Sequence, residues 1–171
     1  MRTCVLGLFV VACCLVAAGQ SSGAQTAATF QAYSPVHNFD AKRDAAADIK
    51  AAIAEAQRTG KRIILDIGGD WCPYCHQMDK LFHEHPELVE LRDKYFLLVD
   101  IYYGPDKPNR LALSRYSKLL GVPHFFVLES DGTLLFSQHV FDLRSGGKYD
   151  PEKMKAFLLK WAPAKTAEAA K

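Results

Sequence analysis

Cysteine is scarce in this chain. There are five among 171 residues, and three of them, Cys4, Cys13 and Cys14, fall in an apolar N-terminal stretch that reads as a removable leader. Only Cys72 and Cys75 then remain, which excludes a small secreted fold stapled by several disulfides and leaves the core to side-chain packing. No second closely spaced pair exists to complete a closed four-ligand zinc site. Charge of one sign is lacking too: 21 Lys plus Arg stand against 19 Asp plus Glu, intermixed, so nothing points to a nucleic-acid groove or a membrane-binding face. Beyond the leader, no apolar run reaches the roughly 20 residues that span a bilayer as a helix.

The leader has the parts of an export signal. Arg2 supplies the positive start, Val5 to Ala18 is almost wholly apolar, and Val16-Ala17-Ala18 offers a small-residue cleavage site, giving a signal over residues 1–18. Within it, Val10-Val11-Ala12-Cys13 also resembles a lipoprotein cleavage box, with Cys13 as the lipidated anchor. The apolar run continues past Cys13 through Cys14, Leu15 and Val16, where a polar tether is usual, so this alternative ranks second. Either way the domain is exported. Residues 19–40, rich in Ala, Ser, Gln and Gly, read as a flexible tether. The remaining chain suits one domain with a full core, over 41–162, and a frayed Ala/Lys-rich tail, 163–171.

Cys72-Pro73-Tyr74-Cys75, preceded by Trp71, stands directly after the apolar run Ile63 to Ile67. Two cysteines at this spacing close a small disulfide ring when they open a helix, and the first sulfur then sits where backbone N–H groups stabilise a thiolate. As a purely structural bridge so short a ring restricts the unfolded chain little, about 2 kcal/mol. A reactive dithiol explains the spacing better, with Cys72 as the nucleophile.

Hydrophobic spacing arranges the elements around it. Ala45, Ile49, Ala52, Ile53 and Ala56 form a helical stripe stopped at Gly60. Lys61 to Ile67 reads as a strand buried on both faces, broken by Gly68-Gly69. Pro73 fits the first turn of the helix that Met78, Leu81 and Phe82 continue. A shorter helical piece over Pro86 to Lys94 leads to a second strand, Tyr95 to Tyr102, paired parallel to the first. After a Pro-rich turn over Gly104 to Asn109, Leu111, Tyr116, Leu119 and Leu120 suggest a helix stopped at Gly121. His124 to Glu129 and Leu134 to Val140 flank Asp131-Gly132, a strong hairpin signal. Asp150 caps a last helix that buries Met154, Phe157, Leu158 and Trp161.

This order, with Trp-Cys-x-x-Cys at a helix start, resembles the thioredoxin superfamily, and in particular its periplasmic thioredoxin-like thiol:disulfide interchange proteins. The resemblance implies an α/β thioredoxin fold with a central mixed sheet flanked by helices. It implies attack by Cys72 on a substrate disulfide, resolution by Cys75, a Cys72–Cys75 disulfide in the oxidised form, and no metal or organic cofactor. Pro123 stands where the superfamily has a cis-proline opposite the dithiol, and Val122 would then offer its backbone to substrate. Asp66, six residues before Cys72, matches the superfamily's buried acid, which helps move the second cysteine's proton; no lysine occupies Phe96 to Ile101, where thioredoxins often hold that acid's partner. Pro73-Tyr74 is closer to glutaredoxins and some periplasmic disulfide proteins than to the Gly-Pro common in thioredoxin. The expected partners are protein disulfide or dithiol substrates and an upstream thiol electron donor or acceptor, met by a monomer acting as a reductant. Trp71 and Tyr74 would form an apolar collar around the disulfide.

Two readings compete. Cys72-Pro73-Tyr74-Cys75-His76 satisfies the pattern for covalent c-type haem, with His76 on the iron and Met78 or Met154 as the second axial ligand; it requires a crevice in a helical fold. His83-Glu84-His85 suggests a copper or zinc carrier, although neighbours this close on a helix end do not share one face.

Overall fold

Signals at both ends set the first helix. In the computed structural model, which describes residues 33, 35–106 and 109–164, the Asp44 side chain caps α1 (Ala45–Thr59) by accepting from the amides of Ala46 and Ala47, and Gly60 ends it in the left-handed region at φ 72°. The leader with Cys13, most of the tether, Lys107 and Pro108 in the Pro-rich turn, and the tail beyond Ala164 lie outside the described residues. Among the described residues no helix is long and apolar enough to cross a membrane.

Strand β1 (Arg62–Gly68) runs parallel to β2 (Phe96–Tyr102) and antiparallel to β3 (His124–Leu128), and β3 pairs antiparallel with β4 (Leu134–His139), giving the order β2-β1-β3-β4. As expected for a central strand, β1 is buried from Ile63 to Gly68. Alternation sends Ile63, Leu65 and Ile67 with Leu97, Val99 and Phe126 to one face, where they pack on Ile49, Ala52 and Ala56 of α1. The opposite face carries Ile64, Phe96, Phe125 and Val127 against α2 (Pro73–Glu84), α3 (Pro86–Tyr95) and α5 (Pro151–Lys160). Asp150 caps α5 through the amides of Glu152 and Lys153, 2.9 and 3.1 Å away.

Two expectations need correction, and one stretch without an expectation takes form. The helix read from Leu111 to Gly121 is a single turn, α4 (Arg110–Leu113), and the chain then runs irregularly to Pro123. The Ser114 hydroxyl and amide both take the Leu111 carbonyl, at 2.7 and 3.2 Å, which closes the turn. Leu111 and Leu120, counted as one stripe, face solvent at 86% and 74% exposure. The tether also ends earlier than residue 40: Val36 forms a parallel bridge with Val99, and Val36 and Phe39 are buried. Finally, a 3₁₀ turn (Val140–Leu143) and a small hairpin of β5 (Arg144–Ser145) and β6 (Lys148–Tyr149) intervene before α5. Gly146 and Gly147, at φ 56° and 82°, make the hairpin's turn.

Candidate active site

The dithiol sits where β1 hands over to α2. The Cys72 amide donates to the Gly69 carbonyl at 2.9 Å, which tightens the turn, and Cys72 becomes the N-cap of α2 with Pro73 in the first helical position. Its sulfur accepts from the Cys75 amide at 3.3 Å, a donor that an anionic sulfur accepts more strongly than a neutral one. No disulfide joins the two; both are free thiols, 2% and 3% exposed. They pack with Phe39, and Tyr102 and Val122 close over that cluster.

The Val122–Pro123 peptide is cis and leads into β3, whose first residue, His124, pairs with Ile67 at the end of β1. Val122 is thereby brought against the cysteines, while Pro123 is buried beside it. Trp71 and Tyr74 stand outside, 51% and 40% exposed. Tyr74 is held edge-on by Phe141 at 4.7 Å and is covered by the Arg144 guanidinium at 4.7 Å. Trp71 lines a groove of about 310 Å³ with Tyr103, Pro105, Leu119, Leu120 and Val122.

Asp66 lies below, on the α2 face of β1, 8% exposed and with Oδ1 lacking a protein partner among the described residues. Burial, then the neighbouring Asp100 and Asp79, raise its carboxyl well above the ordinary range, against the pull of Arg92. Burial also pushes the Cys75 thiol up strongly, with the Cys72 side chain and Asp66 adding to it. Burial thus favours the neutral Cys75 thiol, which lies within electrostatic reach of Asp66.

Sequence reasoning missed Phe39, an isolated aromatic in a polar stretch, and the role of Gly68. A Cβ at Gly68 would stand 2.7 Å from the Cys75 sulfur and 2.9 Å from Phe39 Cζ, so this glycine permits the close approach; its place just before the dithiol was the available signal. The haem constellation is not assembled. Met78 and Met154 are buried in the core between sheet and helices, the His76 ring bonds the Asp70 carbonyl at 2.6 Å, and the fold is a mixed sheet rather than a helical crevice. At the end of α2, His85 turns to Glu87 at 3.0 Å, and among the described residues no group of three or more His, Cys, Asp or Glu is set to hold a metal.

A helix-capping Cys-x-x-Cys at the end of a central strand, in a mixed sheet with helices on both faces, defines the thioredoxin fold. The thioredoxin-like family matches residues 44–130, and the chain belongs to it. A thiol:disulfide interchange protein of Pseudomonas fluorescens, DsbD, is 30% identical over 122 residues, which are 71% of this chain and 19% of that protein. DsbE of Pseudomonas aeruginosa is 30% identical over 82 residues, 48% of this chain and 41% of that one. A disulphide isomerase from Xylella fastidiosa Temecula1 superposes with a TM-score of 0.63 at 27% identity, covering 71% of this chain and 94% of that one. The chain spans a fifth or less of the DsbD proteins of Pseudomonas fluorescens, Vibrio cholerae and Klebsiella pneumoniae.

Proposed function

We propose that this chain is an exported thiol:disulfide oxidoreductase that exchanges disulfides with protein substrates through Cys72 and Cys75 and works as a reductant. The observation that carries the reading is the Cys75 amide aimed at the Cys72 sulfur, 3.3 Å away, at the start of α2. Cys72 attacks a substrate disulfide, forming a mixed disulfide and releasing one substrate thiol; Cys75 then attacks Cys72 and releases the other. With Cys72 only 2% exposed, the incoming disulfide is led to it over Trp71, Tyr74 and the backbone of Val122. The relatives' names support interchange chemistry.

The reducing direction follows the resemblance to periplasmic thioredoxin-like interchange proteins, and it turns on the potential, which is set by how well the Cys72 thiolate is stabilised. Export is supported by the leader, with Arg2 before the apolar run Val5 to Ala18; an upstream thiol donor would then re-reduce Cys72–Cys75. The test is mass measurement after alkylation across glutathione and dithiothreitol redox buffers. One two-thiol transition below the potential of glutathione is expected; no transition overturns the exchange reading, and a midpoint well above glutathione overturns the direction. Cys72→Ser abolishes exchange, and Cys75→Ser accumulates mixed disulfides with partner proteins.

A further inference from the structure

The buried acid beneath the dithiol has a neighbour of its own kind. In the parallel pairing of β1 with β2 the register partner of Asp66 is Asp100. Register partners on adjacent strands, about 4.8 Å apart, send their side chains to the same side of the sheet. That side is the one covered by α2, α3 and α5, and both carboxyls line a single cavity of about 410 Å³ there, walled by Ile64, Leu98 and Phe125. Asp66 is the deeper of the two, and Asp100 is partly exposed. Each has its Oδ1 buried without a protein partner among the described residues.

The other charged and titratable groups around this cavity come from three elements. Asp79 comes from α2, Arg92 and Asp93 from α3, and His37 from the segment before α1; α5 and β3 contribute Leu158 and Phe125. Arg92 is committed elsewhere, its Nε donating to Asp93 at 2.8 Å and its guanidinium lying over Phe82 at 5.0 Å. Burial, then Arg92, lowers His37 and favours its neutral ring. Tyr149 and Cys75 each feel the Asp66 charge. Two carboxyls side by side with so little compensation do not both ionise near neutrality, and the pair keeps one proton. Burial, then Asp79, pushes Asp100 up to about 7, with Arg92 opposing.

We propose that Asp100 joins Asp66 as a two-site proton store beneath the dithiol, in which Asp66 takes the proton of Cys75 and Asp100 passes it to solvent. The inference rests on the thiol:disulfide reading. In the resolving step the Cys75 S–H bond breaks and its proton goes to the Asp66 carboxylate. The electron pair left on Cys75 makes the bond to the Cys72 sulfur as the bond from Cys72 to substrate breaks. The departing pair stays on the substrate sulfur, which takes a proton from solvent. Over both steps the protein dithiol loses two electrons and the substrate disulfide gains two. Asp66 can accept only while the retained proton rests on Asp100. The second carboxyl therefore sets the pH above which the first becomes available, and Asp100 is a positioning residue that acts through Asp66.

The test mixes the reduced full chain with a chromogenic aromatic disulfide and follows release of the second thiol equivalent, the resolving step, against pH in wild type, Asp100→Asn and Asp100→Glu. Carboxyl-carbon NMR titration of reduced wild type accompanies it. Two-step titration of both Asp66 and Asp100 is expected. In Asp100→Asn, Asp66 titrates in one step at lower pH and the acidic limb of the resolving rate moves down by about one pH unit or more; Asp100→Glu restores the wild-type profile. A superimposable Asp100→Asn profile overturns the proposal while leaving exchange intact. If Asp100→Asn does not fold, single-step titration of Asp66 in wild type overturns it alone. Absence of a second thiol equivalent in wild type at every pH overturns the exchange reading instead, and the NMR titration still decides whether the carboxyls are coupled.

Discussion

At Gly68 the backbone passes so close to the Cys75 sulfur that no side chain fits. A methyl there would meet Cys75 Sγ at 2.7 Å and Phe39 Cζ at 2.9 Å, and both neighbours are buried, at 3% and 8% exposure, with no free direction to yield. Gly68→Ala is therefore expected to destabilise the fold by about 1–3 kcal/mol, the usual cost of overpacking, and to slow resolution by displacing Cys75. Gly146 makes the control. Its φ is 56° and a Cβ there meets nothing within 4 Å, so Gly146→Ala costs about 1 kcal/mol through the backbone and leaves exchange unchanged. Urea denaturation with stopped-flow exchange checks both; equal exchange rates in the two variants would contradict the close-approach role.

Among the elements, those with redundant signals were legible in sequence and those with one signal were not. The α1 helix had an Asp cap, a periodic stripe and a terminal glycine; the β3–β4 hairpin had Asp-Gly between apolar runs; α5 had Asp150 before Pro151. The Cys-x-x-Cys helix had Pro73 and its position after a buried strand. The helix expected up to Gly121 had spacing alone, and spacing does not record that the Ser114 hydroxyl takes a carbonyl the helix needs. Leu113→Ala, at a 3% exposed position, is expected to cost about 2–5 kcal/mol. Leu111→Ser and Leu120→Ser each stay within about 0.5 kcal/mol; denaturation midpoints would show the opposite ranking if a continuous stripe were buried. Asp100 was illegible as part of the site for a different reason. Its partnership with Asp66 spans 34 residues and exists only through the β1–β2 register, which no local pattern encodes.

For the whole molecule these acids tilt stability against rising pH. Asp100 is raised from 3.8 to about 7 in the fold, so between those values the native state holds a proton that the unfolded chain has released. The stability tied to it is full below about pH 4 and is lost as pH rises through about 7. His124 acts oppositely: burial, then His139, lowers it from 6.5 to about 4, so its contribution is full above about 6.5 and is lost as pH falls through about 4. Unfolding free energies of wild type minus those of Asp100→Asn should fall with pH between about 4 and 7, by at most ~1.4 kcal/mol per pH unit, and level off above. A flat difference across that window would mean that Asp100 ionises in the fold as it does in the unfolded chain.

The bridge from Val36 to Val99 has a further consequence at this scale. Strand β2 ends the sheet on one side, and an open edge offers its row of amides and carbonyls as a template for another molecule's backbone. The Asp100 amide, midway along that edge, is already taken by the Val36 carbonyl at 3.0 Å. A foreign strand cannot add in register past this point, so the segment around Val36 closes this edge to further strand pairing, directly beside Asp100.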